Sequence, residues 1–400
     1  MKKILLVTVV VLVCLSMVLA FSLTGCKEEE PTDTTAAVAD TTAAVADTTA
    51  AVADTTAAEI KGLTKVIWIS PRGSIDVMDD VCYWVAKEMG YFEELGIELV
   101  MEPGPMEAFS CTKFVAERQA DVGFPSPGVL TSSVDTGMEV IGVYNRMPKQ
   151  IFDFAKRKDS DIETLQDIAG KSISLGSAGW QVIVDPILVS IGVDPESVEY
   201  VIAGEQWGQA VALGEADVAL VWEGYRAQWD ALGLGLDYFI GIEDFPDNPS
   251  NCEAIRKSDL NDPERKALWI NFFKAVSMGQ HFLRHNPRGG TQIAYNMLPV
   301  VREQMGPKEA LDFTQQLHWI CTYGERELGG YGDMDMAAWE EYLQIIYDLG
   351  QTSKLLVVDE VITNELIAEI NDFDRAKVEQ DAKAFVLEDT WKSVEVTGNW

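Results

Sequence analysis

The chain has 400 residues, of which 31 are Lys or Arg and 64 are Asp or Glu, so its formal net charge is −33. Nucleic-acid binding is excluded as a leading function, because neutralising phosphates requires clustered Lys and Arg and no stretch supplies them. With 47% hydrophobic and 24% charged residues, the chain can bury a large core and is too long for one small domain. Six cysteines without a CxxC pair or a Cys/His cluster argue against a disulfide scaffold and a structural zinc site.

The first 26 residues predict export and lipid anchoring. Lys2 and Lys3 precede an apolar run over residues 4–23, and the segment ends in LTGC at residues 23–26. This order is typical of a signal peptide, and the last four residues resemble a bacterial lipobox. A retained transmembrane helix is the alternative, because the run is long enough to span a bilayer. We expect cleavage before Cys26 and lipidation at Cys26, which would hold the protein extracytoplasmically, at the outer face of the cytoplasmic membrane or in the periplasm.

A low-complexity segment follows the predicted anchor. Residues 33–58 contain the unit DTTAAVA three times and then a truncated copy. A heptad repeat suggests a coiled coil, but each unit offers one Val and no Leu or Ile for a seam. We therefore interpret residues 26–61 as the lipidated cysteine and a flexible linker, which would hold the folded part within roughly 30 Å of the membrane.

From residue 62 onward, short β-rich runs alternate with amphipathic stretches. Strands are predicted at 65–70, 97–102, 121–124, 139–144, 172–175, 197–201 and 217–221. Helices are predicted at 78–90, 109–117, 128–136, 177–191, 207–214, 263–285, 290–304, 307–318, 336–348 and 363–386. Alternating strands and helices favour an α/β fold with two lobes, each built on a largely parallel sheet, followed by a helical C-terminal portion.

Four segments in this order carry a resemblance to a known family. They are 85–99 (VAKEMGYFEELGIEL), 117–123 (ERQADVG), 164–171 (TLQDIAGK) and 212–218 (ALGEADV). Together they resemble solute-binding lipoproteins of ABC importers, in the branch that handles nitrate, alkanesulfonates, taurine, riboflavin and thiamine-pyrimidine precursors. Residues 363–371 (TNELIAEIN) resemble the closing helix of the pyrimidine-precursor members. Those members share an Asn and a His ahead of the first helix, and residues 74–80 hold neither, so the resemblance does not identify a pyrimidine as the ligand.

The resemblance implies a type II periplasmic-binding-protein fold of two lobes with a helical C-terminal extension. It implies a small-molecule ligand, an ABC permease and an ATPase as partners, a monomeric state and no cofactor. We expect a signal peptide over residues 1–25 and crossings between the lobes near 144–154 and 241–251. We expect residues 62–147 to form the first part of lobe 1 and residues 148–247 to form lobe 2. Residues 248–400 are expected to return to lobe 1 and to form the C-terminal helices.

Candidate ligand-binding residues lie in the loops after the strands, because ligands of open α/β sheets bind at the carboxyl ends of strands. They are Arg72, Glu107, Ser126, Asn145, Ser177, Trp180, Trp207, Trp222, Glu223 and Tyr225. Indole rings beside glycines or carboxylates suit a flat ring with N–H groups, although ordinary packing is the alternative for each Trp. Ser177 opens a helix, where it could help bind an anion or simply cap the helix. The many acidic residues at these rims favour a neutral or cationic ligand.

Catalytic and metal motifs are not found in the sequence. His281 and His285 are four residues apart but lack the Glu that follows the first His in zinc proteases, so we interpret them as surface or packing residues. There is no GxSxG elbow, P-loop or helix-opening GxGxxG. We expect a non-enzymatic protein that captures a heteroaromatic or amine-bearing nutrient for an ABC permease. An extracytoplasmic enzyme or sensor on the same fold, or a sulfonate- or nitrate-type anion binder, remains the alternative.

Cysteine pairing is a separate expectation. Cys82 and Cys111 lie on apolar helical faces, which leaves Cys252 and Cys321 as the pair that could form a disulfide in an oxidising compartment. Four thiols nevertheless allow three pairings.

The anchoring prediction is tested by changing Cys26 to Ser. The variant should stay uncleaved or leave the membrane fraction, because the acylated thiol is lost. Fractionation followed by mass spectrometry of the N-terminus measures both outcomes. A cleaved Cys26→Ser protein that still needs detergent for release would contradict lipidation at this residue.

Overall fold

The computed structural model describes residues 62–244, 248–398 and 400. The predicted signal peptide, Cys26 and the repeated segment lie outside the described residues. Within the described part of the chain, no helix is both long enough and apolar enough to cross a membrane.

The described residues form ten β-strands. These are β1 (Thr64–Ile69), β2 (Ile97–Glu102), β3 (Val122–Gly123), β4 (Val140–Tyr144), β5 (Phe152–Arg157), β6 (Ser172–Leu175), β7 (Glu199–Ile202), β8 (Val218–Trp222), β9 (Leu236–Phe239) and β10 (Glu253–Arg256).

The α-helices of the described residues pack around these strands. They are α1 (Val81–Glu88), α2 (Tyr91–Glu94), α3 (Ser110–Ala116), α4 (Pro127–Asp135), α5 (Gln181–Ser190), α6 (Trp207–Ala212), α7 (Glu223–Ala231), α8 (Gly241–Asp244), α9 (Pro263–His285), α10 (Pro287–Met297), α11 (Pro299–Gln304), α12 (Pro307–Cys321), α13 (Tyr323–Glu327), α14 (Met336–Asp348), α15 (Val358–Val361), α16 (Ile367–Ile370), α17 (Arg375–Ala384) and α18 (Asp389–Lys392). Short 3₁₀ helices span Met78–Asp80, Leu165–Ile168, Ala178–Trp180, Pro195–Ser197, Gly204–Gln206 and Lys257–Asn261.

The strands of the described residues form two five-stranded sheets. The first has the strand order β2-β1-β3-β10-β4 and the second β7-β6-β8-β5-β9. We call the first sheet with its helices lobe 1 and the second sheet with its helices lobe 2. The chain passes from lobe 1 to lobe 2 between Tyr144 and Phe152 and returns between Phe239 and Glu253. The two-lobed α/β architecture with a helical C-terminal portion therefore agrees with the predicted fold class, while the residue boundaries of the lobes stay a prediction.

Both sheets are mixed, which corrects the expectation of largely parallel sheets. In lobe 1, β10 runs antiparallel to both β3 and β4, and in lobe 2, β5 runs antiparallel to both β8 and β9. The sequence patterns did not predict β5, β9 or β10. β10 reads Glu-Ala-Ile-Arg, and its charged end residues do not look like part of a central strand. They can be buried there because Arg146 pairs with Glu253 and Asp121 pairs with Arg256.

The core of lobe 1 contains the apolar stripe predicted for the first helix. Val81, Cys82 and Val85 are buried on α1, as is Met78 in the preceding 3₁₀ turn, whereas Met89 is partly exposed. Spacings of three and four residues put these side chains on one helical face. Helix α1 packs against the long helix α9 and against α10.

All four cysteines of the described residues are free and buried, so the expected Cys252–Cys321 disulfide is wrong. Cys252 packs close to Gly142 on β4, whereas the Cys321 thiol lies 3.5 Å from the Met147 sulfur. Burial raises the pKa of Cys82 and that of Cys111 to about 12, so neither thiol ionises near neutral pH. These cysteines act as small apolar core residues.

A buried ion-pair network fixes the end of β4 to β10 and α1. Arg146, which has no exposed surface, donates to Glu253 at 2.9 Å, to Asp80 at 2.9 Å and to the Asp79 carbonyl at 2.7 Å. The second Glu253 oxygen accepts from the Trp68 indole at 3.0 Å. Burial lowers the pKa of Arg146, but the Asp80 and Glu253 carboxylates outweigh it and hold the pKa well above its ordinary value. Arg146 thus joins three separate segments of lobe 1.

Replacing Arg146 with Met tests this network. The variant should lose about 3–5 kcal/mol of unfolding free energy, because a buried carboxylate is left without its counter-ion. Urea denaturation measures the loss. Arg302→Met is the control at an exposed helical position and should change the unfolding free energy by less than about 0.5 kcal/mol. Equal stabilities of the two variants would contradict the structural role of Arg146.

Candidate functional site

An aromatic-lined cavity lies between the two lobes. Its residues follow strand ends: Arg72 follows β1, Ser126 follows β3, Trp180 follows β6, and Trp222 ends β8. Parallel strands place their carboxyl ends at one edge of a sheet, and two such edges meet here. The wall is formed by Pro71, Arg72, Asp79, Ala108, Phe124, Ser126, Val129, Met147, Ile151, Phe152, Trp180, Ile183, Trp222, Asn251 and Leu317.

Three tryptophans of lobe 2 pack together beside the cavity. The Trp180 ring meets those of Trp207 and Trp222 edge to face, with centroids 5.4 and 5.6 Å apart. A glycine is required at residue 176, because a Cβ atom there would lie 2.6 Å from the Trp180 ring. Trp222 also meets Phe152 edge to face at 6.4 Å. These rings present a rigid apolar surface suited to a flat ligand.

Buried charges form the lobe 1 side of the site. Arg72 contacts Asp79 at 3.3 Å and also pairs with Asp80, which in turn accepts from Arg146. With Glu253, the network holds two guanidinium groups and three carboxylates, all of them buried. Burial raises the pKa of the Asp79 carboxyl, and Arg72 opposes that shift. Burial likewise raises the pKa of Glu253, against the effect of Arg146.

Asp79 also connects the two lobes. Its Oδ2 accepts a hydrogen bond of 2.9 Å from the Trp222 indole of lobe 2. Its Oδ1 lies against Gly224 at the first turn of α7, where an added Cβ would approach it to 2.0 Å. A second contact is the hydrogen bond of 3.3 Å from the Gln228 amide to the Asp76 carbonyl. The lobes are therefore closed on each other, with a carboxylate against the positive end of a helix.

Four polar atoms of the cavity-lining residues have no hydrogen-bond partner among the described residues. They are Arg72 Nε, Asp79 Oδ1, Ser126 Oγ and Asn251 Oδ1. Buried polar groups are nearly always paired, so this set calls for a partner. Two of the atoms are pure acceptors and one is a donor, while the Ser126 hydroxyl can act as either. The arrangement can bind a flat apolar molecule that carries its own N–H or O–H groups.

The structure brings some of the predicted ligand-binding residues to the cavity. Arg72, Ser126, Trp180 and Trp222 line it. Trp207 lies behind them, is 1% exposed, and donates to the Leu220 carbonyl at 2.7 Å. The Tyr225 ring packs on Trp207 and Trp222, with centroids 4.8 Å away in each case. Whether these residues touch a ligand stays a prediction.

Other predicted residues lie outside the cavity wall. Glu107 is exposed and accepts from the Phe109 amide at 3.1 Å, at the start of α3. Asn145 is buried, and its amide nitrogen can donate to the Met147 and Asn251 carbonyls, each at 3.1 Å.

Ser177 and Glu223 complete the predicted set. The Ser177 hydroxyl accepts from the Gly179 amide at 3.3 Å, so it caps the helical turn that precedes α5. The Glu223 side chain lies outside the described part of the structure.

Sequence reasoning missed several residues of the wall. Phe152 begins β5 and Asn251 precedes β10, and neither antiparallel strand was predicted. Leu317 comes from α12, far along the chain. The sequence does not single out Asp79 from the other acidic residues at these strand ends. The signal that could have found Phe152 and Asn251 is that antiparallel strands bring their amino ends to the edge where parallel strands end.

The fold is similar to that of solved binding proteins. The alkanesulfonate-binding protein SsuA of Xanthomonas axonopodis pv. citri, bound to MOPS, aligns with a TM-score of 0.57 at 10% identity, covering 76% of this chain and 99% of that one. The periplasmic nitrate-binding protein NrtA of Synechocystis PCC 6803 aligns with a TM-score of 0.54 at 12% identity, covering 81% and 99%. At these identities the likeness shows a shared fold, that of periplasmic binding proteins.

A third similar structure is the ligand-binding component of an ABC-type import system from Staphylococcus aureus with zinc bound. Its TM-score is 0.54 at 12% identity, and the alignment covers 78% of this chain and 99% of that one. A comparison with curated proteins gave no match. The family model described as NMT1/THI5 like matches residues 79–288, which is more than half of the chain. This protein therefore belongs to the NMT1/THI5-like family.

Proposed function

We propose that the protein is an extracytoplasmic solute-binding protein that captures a small nutrient between its lobes and delivers it to an ABC import permease. The observation that carries the proposal is the cavity between the lobes, whose aromatic wall includes four polar atoms without a hydrogen-bond partner in the part of the chain that the structure describes. Membership of the NMT1/THI5-like family supports it. The similar structures are an alkanesulfonate-binding protein, a nitrate-binding protein and the ligand-binding component of an ABC-type import system, and they support the same role.

The ligand that suits this cavity is a heteroaromatic or amine-bearing molecule without net negative charge. Trp180, Trp222 and Phe152 offer ring faces and edges, and apolar side chains form most of the remaining wall. Oδ1 of Asp79 and Oδ1 of Asn251 are acceptors that a ligand N–H group can satisfy. Recognition would then combine stacking with a few placed hydrogen bonds, as in most small-molecule sites.

An anion binder is the second candidate, because similar structures bind alkanesulfonate or nitrate and Arg72 lines the cavity. The net negative charge of the buried network argues against binding of an anion. The Arg72 guanidinium is already paired with Asp79 and Asp80, and the network holds one more carboxylate than guanidinium groups. An anion would have to displace a buried carboxylate from Arg72 or lie beside it, and both are costly.

Delivery to a permease requires that the protein stay near the membrane. The lipobox-like residues 23–26 and the repeated segment supply an anchor and a linker for this purpose. With the anchor at Cys26, the folded part would work at the outer face of the bacterial membrane as a monomer. The ATPase that powers import would belong to a partner, and the ligand would leave chemically unchanged.

Trp180 tests the proposed site. Native mass spectrometry of the purified full chain should detect a bound small molecule, which is then identified after release. Trp180→Ala should bind that molecule about 5- to 150-fold more weakly, since losing one stacked ring costs about 1–3 kcal/mol by analogy with base stacking. Titration calorimetry measures the affinity, and binding should also shift the tryptophan fluorescence.

The control is Trp319→Ala on α12, because Trp319 lies outside the cavity and packs against Arg326. This variant should keep the wild-type affinity. Equal affinities of Trp180→Ala and wild type would place the site elsewhere. Competition by MOPS or nitrate, but not by a heteroaromatic amine, would favour the anion-binding alternative.

A further inference from the structure

Two histidines and a glutamate from distant parts of the chain come together on the helical part of lobe 1. His281 and His285 lie one turn apart on α9, and Glu379 lies on α17. Nε2 of each histidine is 3.8 Å from Glu379 Oε1, and the two imidazole rings are 4.6 Å apart between centroids. One ligand atom from each residue falls within 4.8 Å of the others. We call these three residues the His281–His285–Glu379 cluster.

The buried member of the cluster has a polar atom without a partner. The His281 side chain is 5% exposed, and its Nε2 makes no hydrogen bond to any described residue. Its other ring nitrogen, Nδ1, lies 3.0 Å from the Tyr331 hydroxyl. A histidine that binds a metal through one nitrogen usually has the other held by a neighbouring polar group. Tyr331 therefore orients the His281 ring with Nε2 toward Glu379.

We propose that the His281–His285–Glu379 cluster binds a divalent transition-metal ion, with Zn²⁺ as its best match. Two imidazoles and one carboxylate are a donor set that zinc accepts, with a fourth position left for water. Zinc bonds of about 2.0–2.2 Å require ligand atoms roughly 3.4 Å apart, slightly closer than here. The His285 and Glu379 side chains, 30% and 35% exposed, have room to make that adjustment.

The charges around the cluster permit a cation. Glu379 brings a carboxylate to the two imidazoles, so a cation bound there would lie beside a negative charge. Lys383 contacts Oε2 of Glu379 at 3.5 Å, which leaves Oε1 to face the histidines.

Two arginines near the cluster would repel a cation if they were unpaired. Arg284 and Arg375 both pair with Glu325, the second at 3.1 Å. Glu325 thus offsets part of the positive charge around the metal position.

A bound metal would cross-link α17 to the long helix α9. A hydrogen bond of 2.8 Å from the Asn286 side-chain amide, at the end of α9, to the Ala382 carbonyl of α17 already joins the two helices. The cluster belongs to the C-terminal helices and uses none of the cavity residues, so this inference is independent of the proposed ligand. Its expected consequence is stabilisation of the helical part of lobe 1 by metal.

Zinc titration of the metal-free full chain tests the proposal. Calorimetry should show one Zn²⁺ ion bound through the cluster, and zinc should raise the melting temperature. His285→Asn and Glu379→Gln should each weaken binding at least about tenfold and abolish the melting shift. Both side chains are partly exposed, so these variants should fold, and circular dichroism checks this. Glu369→Gln, at an exposed position on α16, is the matched control and should bind zinc as wild type does.

Two further measurements separate the cluster from other zinc ligands. Tyr331→Phe should weaken zinc binding by about 10- to 100-fold, because it removes the group that orients His281. The Co²⁺-substituted protein should show d–d bands without a thiolate-to-cobalt charge-transfer band. Unchanged zinc affinity in both His285→Asn and Glu379→Gln, failure of wild type to bind zinc, or a thiolate band would each overturn the proposal.

Discussion

Burial of five charged groups at one place in lobe 1 constrains the rest of the structure. Arg72 and Arg146 are enclosed with Asp79, Asp80 and Glu253, and each is at most 4% exposed. Removing a charge from water costs several kcal/mol unless partners in good geometry replace the solvent. The pairing here therefore dictates where β10, the end of β4 and the start of α1 must lie. The cavity is built directly on this fixed arrangement.

The same network also determines how the cavity could bind a ligand and how the two lobes contact each other. Asp79 belongs to the network through Arg72, lines the cavity, and accepts from the Trp222 indole of lobe 2. One carboxylate thus links the charge balance of lobe 1, the wall of the site and the contact between the lobes. Closing two sheet edges over a ligand excludes water and strengthens each hydrogen bond inside. In the proposed function, capture and closure depend on the same side chain.

Many helices and strands could be predicted from the sequence, because the spacing of apolar residues that marks each one lies within a short stretch of the chain. Strand β2 and helix α14 begin and end at the predicted residues, since their patterns depend only on neighbouring side chains. Strand β10 could not be predicted, because its buried Glu253 and Arg256 are stabilised by Arg146 and Asp121, more than 100 residues earlier. Asp79, which links the lobes, could not be singled out from the sequence either, because it is one of 64 acidic residues.

The cavity residues that could be predicted likewise differ from the others in whether they belong to a recognisable strand. Trp180 and Trp222 were predicted because each follows or ends a recognisable parallel strand, whereas Asn251 precedes a strand that was not recognised. No sequence motif marks the His281–His285–Glu379 cluster, because its carboxylate comes from α17 and both histidines come from α9.

The most direct test of the account is the radius of gyration of Gly224→Ala, measured by small-angle X-ray scattering. A Cβ at residue 224 would lie 2.0 Å from Asp79 Oδ1 when the lobes are closed. Ala also suits a helix at least as well as Gly, so folding should be unaffected. We predict that the co-purified ligand compacts the wild-type chain but leaves Gly224→Ala open and more weakly bound. Equal compaction and equal affinity in the two proteins would contradict closure through Asp79.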